Sequence, residues 1–534
     1  MATVPDGTEK KDRPDNPPEE PYHMTEEILR ERAKSESGGR YSTQLYAGIV
    51  ASVSSISFGT VIGWSSPAIR VSIESTRAVS ETHLQNTDMD IGTIASLGPL
   101  GCSLGVLVWS YFNLKIGPKR TMVLQSPLLF VTWISIALAR TIEIAVFGRF
   151  LCGFLAISYK VCGETLLADT VHRVHLRHMV ISFRACIYLG VLLSYVCGYT
   201  LKDKYFSILN CVIVAIHFVM LLLCPESPVY LYDVNIKQAE EALSWYRGKE
   251  NIYIDMRNIK RDSEIRKVDP IAYKYMMCSK VVIKALFMII GVNTTGVISG
   301  YYIFLYYNPA MVKKLSEDQV TTIKQAELDS KIDVISKEWD AIMLGLQLFL
   351  CSLISTWAHY NISFGIKKPL ITSCVLVSTI LALFAAYHFL RDEKISYVVK
   401  NNWPYTVLVH LLIISYEIGL SQCSDIMLIN YLPSQVYPRA KLITRFVQWT
   451  LCFVLTRSYF FFTNEIGGAW TWTMYFILSL IALLFLSIHV VESKGKTLVK
   501  IQTEIGGNPI GSRGAAYKKR SDNTRGKSNN QIPT

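Results

Sequence analysis

Apolar runs of about twenty residues recur along the chain, each closed by a short polar or charged segment. About twenty residues is the length a helix needs to cross roughly 30 Å of hydrocarbon, so each run reads as a membrane helix. The pattern predicts a first set over 44–66, 91–113, 120–139, 144–168, 179–200 and 205–224. A second set is predicted over 281–308, 341–362, 369–390, 404–430, 442–463 and 470–491. Between the sets, Cys224-Pro225-Glu226-Ser227-Pro228-Val229-Tyr230-Leu231 opens a charged segment reaching about Lys280. An echo of that turn, Val491-Glu492-Ser493-Lys494-Gly495-Lys496-Thr497-Leu498, closes the last run. The expected fold class is an all-α membrane protein of twelve transmembrane helices in two six-helix bundles, with a cytoplasmic helical linker.

The expected divisions are a disordered cytoplasmic tail over 1–43, a bundle over 44–224, a helical linker over 225–280, a second bundle over 281–493 and a cytoplasmic tail over 494–534. Within the linker, Ile236 to Gly248 reads as a short amphipathic helix, with Ala239, Leu243 and Tyr246 on one face and Gly248 as its C-cap. The segment 312–340, on the opposite side, mixes both charge signs and is unusually long, so a mobile or partly helical excursion is expected. Beyond about Gly506 the chain is polar and basic and reads as disordered.

An internal repeat is visible. Glu164 and Asn430, ending the fourth and tenth runs, stand as far apart as Glu226 and Glu492, ending the sixth and twelfth. Gly117-Pro118-Lys119-Arg120 has a partner in Gly365-Ile366-Lys367-Lys368 at a shorter spacing, which the longer loop 391–403 could absorb. Two halves related by a parallel repeat, with a site between them, is a transporter architecture.

Charge then fixes orientation. Lys115, Lys119 and Arg120 follow the second run, Arg173 and Arg177 the fourth, Lys367 and Lys368 the eighth, Arg439 and Lys441 the tenth. With the basic segment 232–280 and the tail, these mark the cytoplasmic face, which places both termini inside; the plasma membrane is the expected location. Charged residues are 18% and hydrophobic ones 50% of the 534 residues. The net charge of +12 is explained by this asymmetry without a nucleic-acid partner. The twelve cysteines lie mostly inside apolar runs without metal-ligand spacing, as buried free thiols do. His172, His175 and His178 share a loop but lack a matched acidic or cysteine set, and a solvated basic loop accounts for them. No nucleotide-binding or nucleophile motif is present. No enzyme activity, metal or cofactor is expected, and the partners expected are a small solute and the lipid bilayer.

Taken together, the motifs resemble the sugar porter family of the major facilitator superfamily, on the side of its facilitated trehalose and glucose transporters, over nearly all of 44–502. The likeness is carried by Pro225-Glu226-Ser227-Pro228, Glu492 to Leu498, Gly63-Trp64-Ser65-Ser66-Pro67, Gly148-Arg149 and Gly190 to Gly198. The acidic helix ends Glu164, Glu226 and Glu492 would pair with Lys119, Arg120, Arg177 and Arg439 only while the cytoplasmic ends of the bundles are together, forming a gate. The alternative is ordinary solvated loop charge. The gate departs from the family pattern at Leu114, Val229 and Asn430.

The resemblance also implies a central site of amide side chains and an indole. The fifth-helix glutamine falls on Arg184, the seventh-helix pair on Val292 and Asn293, and the following asparagine on Ile298. The tenth helix carries Ser421-Gln422-Cys423-Ser424-Asp425 in place of the Gly-Pro-x-Pro-Trp stretch, and the eleventh keeps Trp449 and Phe453 with Gln448 beside them. The candidate solute-binding residues are Arg184, Tyr188, Asn293, Gln347, Asp425, Gln448 and Trp449. A charge inside a membrane helix costs at least roughly 2.5–3.5 kcal/mol, so Arg184 and Asp425 are expected to face a wet cavity and to pair across it. The alternative puts Asp425 near the headgroups and lets Arg184 snorkel.

The function expected is facilitative transport of a sugar, trehalose or a hexose, by alternating access. The alternatives are a non-transporting solute sensor of the same fold and a transporter of a charged small metabolite, since Arg184 suits a carboxylate or phosphate. Helix 44–66 carries no acid, which favours uniport and leaves Glu417 and Asp425 as residual proton sites.

Overall fold

A computed structural model describes residues 39–67, 84–139, 142–201, 203–248, 252–266, 270–308, 311–312, 315, 337–361 and 365–506. Regular secondary structure among them is helical throughout. The first half contains α1 (Tyr41–Gly63), α2 (Leu84–Ile116), α3 (Pro118–Ala137), α4 (Ile142–Thr170), α5 (Arg173–Thr200) and α6 (Asp203–Leu222). Four shorter helices follow: α7 (Pro228–Val234), α8 (Ile236–Arg247), α9 (Tyr253–Arg266) and α10 (Pro270–Met277). The second half contains α11 (Lys280–Ile298), α12 (Lys337–Asn361), α13 (Lys367–Asp392) and α14 (Ser396–Lys400). It continues with α15 (Trp403–Ile418), α16 (Leu420–Tyr431), α17 (Tyr437–Glu465), α18 (Gly468–His489) and α19 (Leu498–Glu504).

Eleven helical stretches are long and apolar enough to cross a membrane. The eleventh helix in chain order, α17, carries Arg439, Lys441, Arg445 and Arg457 and falls short by composition alone. It is nonetheless packed between α2 and α11, where Arg445 is buried and Lys441 and Arg457 are half-buried. Counting it, the twelve predicted spans are all present. The expected tail over 1–43, the excursion over 312–340 and the segment beyond Gly506 fall almost wholly outside the described residues.

Two spans are interrupted. The first, Lys280–Asn308, breaks after α11 at Ser299 and Gly300, and the helix resumes over 301–308. Gly300 has φ 80°, a left-handed conformation that costs a residue without Cβ little. The second, Trp403–Tyr431, breaks at Gly419 between α15 and α16, where a Cβ would run into the Pro369 carbonyl. Broken helices of this kind are tolerated at membrane depth where they border a cavity.

Within the first half α2 packs on α4 and α1 on α5; within the second α13 packs on α18 and α15. Gly101 and Gly105 of α2 sit against the Phe150 and Phe154 backbone of α4, a small-residue approach. The halves meet through two equivalent pairs, α2 with α17 and α5 with α12, and these flank the central space.

The segment α7–α10 and both ends of the described chain lie on one face. Ser227 caps α7 and Asn235 caps α8, each satisfying free amides of the first turn. α8 buries Ala239, Leu243 and Tyr246 completely and ends on Gly248 at φ 58°. It is held to the first half by Thr43 donating to the Tyr246 carbonyl at 2.8 Å and by Arg247 donating to the Thr170 carbonyl at 2.7 Å.

Candidate functional site: a charged cavity between the two halves

A cavity of about 70 Å³ lies between the halves. Its wall comes from Phe58 and Ile62 of α1, Lys160 and Glu164 of α4, Arg184, Tyr188 and Val191 of α5, Tyr301 and Tyr302 past the break after α11, Asp425 of α16 and Trp449 of α17. A buried water needs about 10–15 Å³ of such space, so the cavity holds a handful of waters and must widen for a sugar ring.

The floor is a chain of ion pairs crossing between the halves. Lys441 of α17 donates to Glu164 of α4 at 2.7 Å. Arg184 of α5 stands 3.4 Å from one Asp425 oxygen, and its other nitrogen donates to the Ser421 carbonyl at 3.0 Å. The second Asp425 oxygen is held by Arg445, which also donates to Gln448 at 2.9 Å. One carboxylate thus serves two guanidiniums, which offsets the cost of placing it at membrane depth. Asp425 and Arg184 meet in the cavity wall, not among headgroups.

The opposite end is closed by the tyrosines after the break. The Tyr195 hydroxyl donates to the Leu305 carbonyl at 2.7 Å and the Tyr307 hydroxyl to the Thr456 carbonyl at 2.9 Å. Ser103 and Thr450 bond between α2 and α17 at 2.7 Å. Tyr301, Tyr302, Tyr306 and Tyr307, a run of aromatics that the sequence alone allows either as a cap on the cavity or as an interfacial belt, are all buried and are interior groups. Phe304 stacks between Phe384 and Trp472, at ring separations of 5.1 and 5.2 Å. This anchors residues 301–308 to the second half.

Of the solute-site candidates, Arg184, Tyr188, Asp425 and Trp449 line the cavity. Gln448 stands behind the wall, donating to the Tyr302 hydroxyl at 3.0 Å. Asn293 is buried on α11 but is not part of the wall. Gln347 turns away to the His410 carbonyl at 2.8 Å, so its amide is spent tying α12 to α15. The indole nitrogen of Trp449 is buried with no hydrogen-bond acceptor, although its ring borders the cavity with Phe58 edge-on at 6.1 Å.

The gate residues divide differently from the expectation. Glu164 does pair across the halves, but with Lys441; Arg439 instead lies over the Tyr273 ring at 4.2 Å. Arg177, at the start of α5, is exposed and meets none of the three acids in the described ion pairs. Glu226 and Glu492 meet no basic side chain at ion-pair distance in those pairs; they bind backbone amides within their own halves. Glu226 accepts from the amides of Lys119 and Arg120, both at 2.9 Å, at the start of α3. Glu492 accepts from Ile366 at 2.9 Å and Lys367 at 3.2 Å, at the start of α13. The reason is physical: the free amides of a helix N-terminus form a ready anion site at fixed geometry, whereas a flexible lysine must be ordered first. Burial pushes the Glu226 carboxyl above its ordinary value despite those bonds. Glu492 is less buried, and its four backbone bonds outweigh burial and hold it below. Asn430 donates to the Ser493 hydroxyl at 3.2 Å, beside the same turn.

Lys160 and Arg445 enter the site without having been singled out in the sequence, whereas Tyr301 and Tyr302 stand in an aromatic run that the sequence offers either as a cap on the cavity or as an interfacial belt. The signal for both cations was present: each lies inside a predicted membrane run, the same signal that marked Arg184.

Two six-helix halves, matched interfaces, broken helices and a central polar cavity define a membrane transporter of the major facilitator fold, not an enzyme. Residues 47–505 match the model of the family described as sugar (and other) transporter, and the chain belongs to that family. Among similar proteins is a facilitated trehalose transporter of Bombyx mori, 25% identical over 472 residues that cover 87% of each chain. One of Apis mellifera ligustica is 24% identical, over 91% of this chain and 93% of that one. The fold is shared with a proton:xylose symporter solved with 6-bromo-6-deoxy-D-glucose, at a TM-score of 0.66 and 17% identity over 87% of this chain and 99% of that one. The xylose transporter from E. coli in a partially occluded inward-open conformation also has a TM-score of 0.66, at 16% identity over 86% of this chain and 100% of that one.

Proposed function

We propose that this chain is a plasma-membrane facilitator that carries a sugar through the central cavity by alternating access, with both termini and α7–α10 in the cytoplasm. Its working parts are the bundles over 44–224 and 281–493 and the linker over 225–280. The observation that carries the reading is the cavity itself, closed at both ends and lined by the Trp449 ring and the side chains of Tyr188 and Tyr302. Sugar hydroxyls need such donors and acceptors, and aromatic walls match the apolar faces of a sugar ring. Trehalose, the solute named for the insect relatives, and glucose are the first to test. Orientation is supported by the Lys and Arg clustered on the linker face. The ion pairs Glu164–Lys441 and Arg184–Asp425 would break to open that face, while Glu226 and Glu492 stay bound to their own halves as rigid corners. A cell lacking its own sugar carriers, with surface delivery confirmed separately, provides the test. Saturable uptake of labelled sugar supports the reading, and a delivered protein that moves no sugar contradicts it.

A further inference from the structure

The charges around the cavity do not balance. Lys160 and Arg184 face it, with Arg445 and Lys441 bonded to its acids, against Glu164, Asp425 and Glu417. Each acid is already engaged. Glu164 is bound by Lys441, Asp425 is shared by Arg445 and Arg184, and Glu417 accepts from the Ser421 hydroxyl at 2.8 Å. Lys160 is left over. Among the described residues no carboxylate comes within 4.0 Å of its ammonium; the Phe58 ring lies at 5.9 Å, and Glu164 and Asp425 act on it only from beyond ion-pair distance, opposed by Arg445 and Arg184. An ammonium with no carboxylate in direct contact at membrane depth is costly, and an anion entering the cavity would supply the missing contact. Arg184 adds a second cation, anchored through one nitrogen to the Ser421 carbonyl at 3.0 Å but held only at a distance by its acid. Its 3.4 Å separation from Asp425 exceeds the usual 2.7–2.9 Å of a charge-assisted bond, so its fork can turn towards a ligand.

We propose that Lys160 makes this cavity selective for sugars carrying one carboxylate, such as a hexuronate, over neutral sugars. This rests on the sugar-transport reading above. The carboxylate meets Lys160 and the free edge of Arg184, while the hydroxyls meet Trp449 and the tyrosines. A single negative charge matches the single surplus cation. A phosphate monoester brings about 1.5–2 negative charges into a wall that already holds Glu164 and Asp425, and is disfavoured.

The test uses the full chain in phosphatidylcholine vesicles, with glucuronate, glucose and glucose 6-phosphate as probes at a clamped membrane potential. Glucuronate is expected to bind about ten- to hundredfold tighter than glucose, the range of a hydrogen bond to a charged group. Its entry should accelerate when the vesicle interior is positive, and glucose entry should not. K160Q should bring the glucuronate-to-glucose affinity ratio close to one, and K160R should keep it. Saturable glucose entry with no entry or competition by glucuronate overturns the proposal and leaves sugar transport standing. Preference for glucose 6-phosphate overturns the single-carboxylate match. A ratio unchanged in K160Q overturns the role of Lys160. If the folded protein, monodisperse by size exclusion, moves and binds none of the three, the transport reading itself fails and takes the inference with it.

Discussion

Asp425 is the residue on which the cavity floor depends, because it is the shared counter-ion of Arg184 and Arg445. Removing it strands two guanidiniums; removing Arg184 strands none, since Asp425 keeps Arg445. D425N is therefore expected to lower thermal stability in detergent more than R184Q does, by on the order of 3 kcal/mol for an uncompensated buried charge. Equal melting shifts for the two variants would contradict the shared-acid arrangement. For the same reason the double swap of Arg184 to Glu and Asp425 to Arg should recover little, because a new arginine at 425 faces Arg445. The Arg184–Asp425 meeting was legible from the sequence, through two charges on cavity-facing helical stripes. Arg445 and Lys160 carry the same signal, a cation inside an apolar run, without a motif to mark them. Nothing in the sequence says that Gln347 is spent on His410, since an amide on a membrane helix reads alike whether it faces a ligand or a neighbouring carbonyl.

At the level of elements, the repeat read from Glu226 and Glu492 is matched in space: each closes the start of a helix in its own half. What the spacing could not reveal is that their partners are amides instead of lysines and arginines. Gly117 makes the first of these turns possible. It sits at φ 94°, and a Cβ there would lie 2.8 Å from the Glu226 carboxyl carbon. G117A should destabilise the protein more than an alanine at the exposed Arg120 does, measured by thermal unfolding in detergent, and an unchanged melting temperature would count against the corner. The two corners also answer acid in opposite senses. The Glu492 carboxyl sits below its ordinary value of 4.5, so its stabilisation is full above that pH and is lost as pH falls through the lowered value. The Glu226 carboxyl sits above 4.5, so folding favours its protonated form; that contribution is full below 4.5 and is lost as pH rises through the raised value. E492Q should accordingly flatten the acid limb of the stability profile below about 4.5, and E226Q should not. Identical profiles for the two variants would show that the corners are not distinguished by burial.

Across the whole molecule, the halves are tied on the linker face by Glu164–Lys441 and Arg184–Asp425, and on the other by the hydroxyls of Tyr195 and Tyr307, which reach the carbonyls of Leu305 and Gly92. A transporter must release one set at a time. K441Q should shift the population towards linker-face opening, read as a longer distance between spin labels at Val174 on α5 and Val499 on α19. An unchanged distance distribution would mean that the pair does not hold the face shut. The twelve-span plan was legible because hydrocarbon thickness imposes a run length on every crossing. The helix breaks at Gly300 and Gly419 were not, since a glycine in an apolar run serves close packing equally well. The most direct measurement is sugar flux into vesicles holding the purified chain, with no ion gradient and equal pH on both sides. The account predicts saturable entry that accelerates when unlabelled sugar is loaded on the far side. Flux that appears only under an imposed proton gradient, or no sugar flux from folded protein, would contradict it.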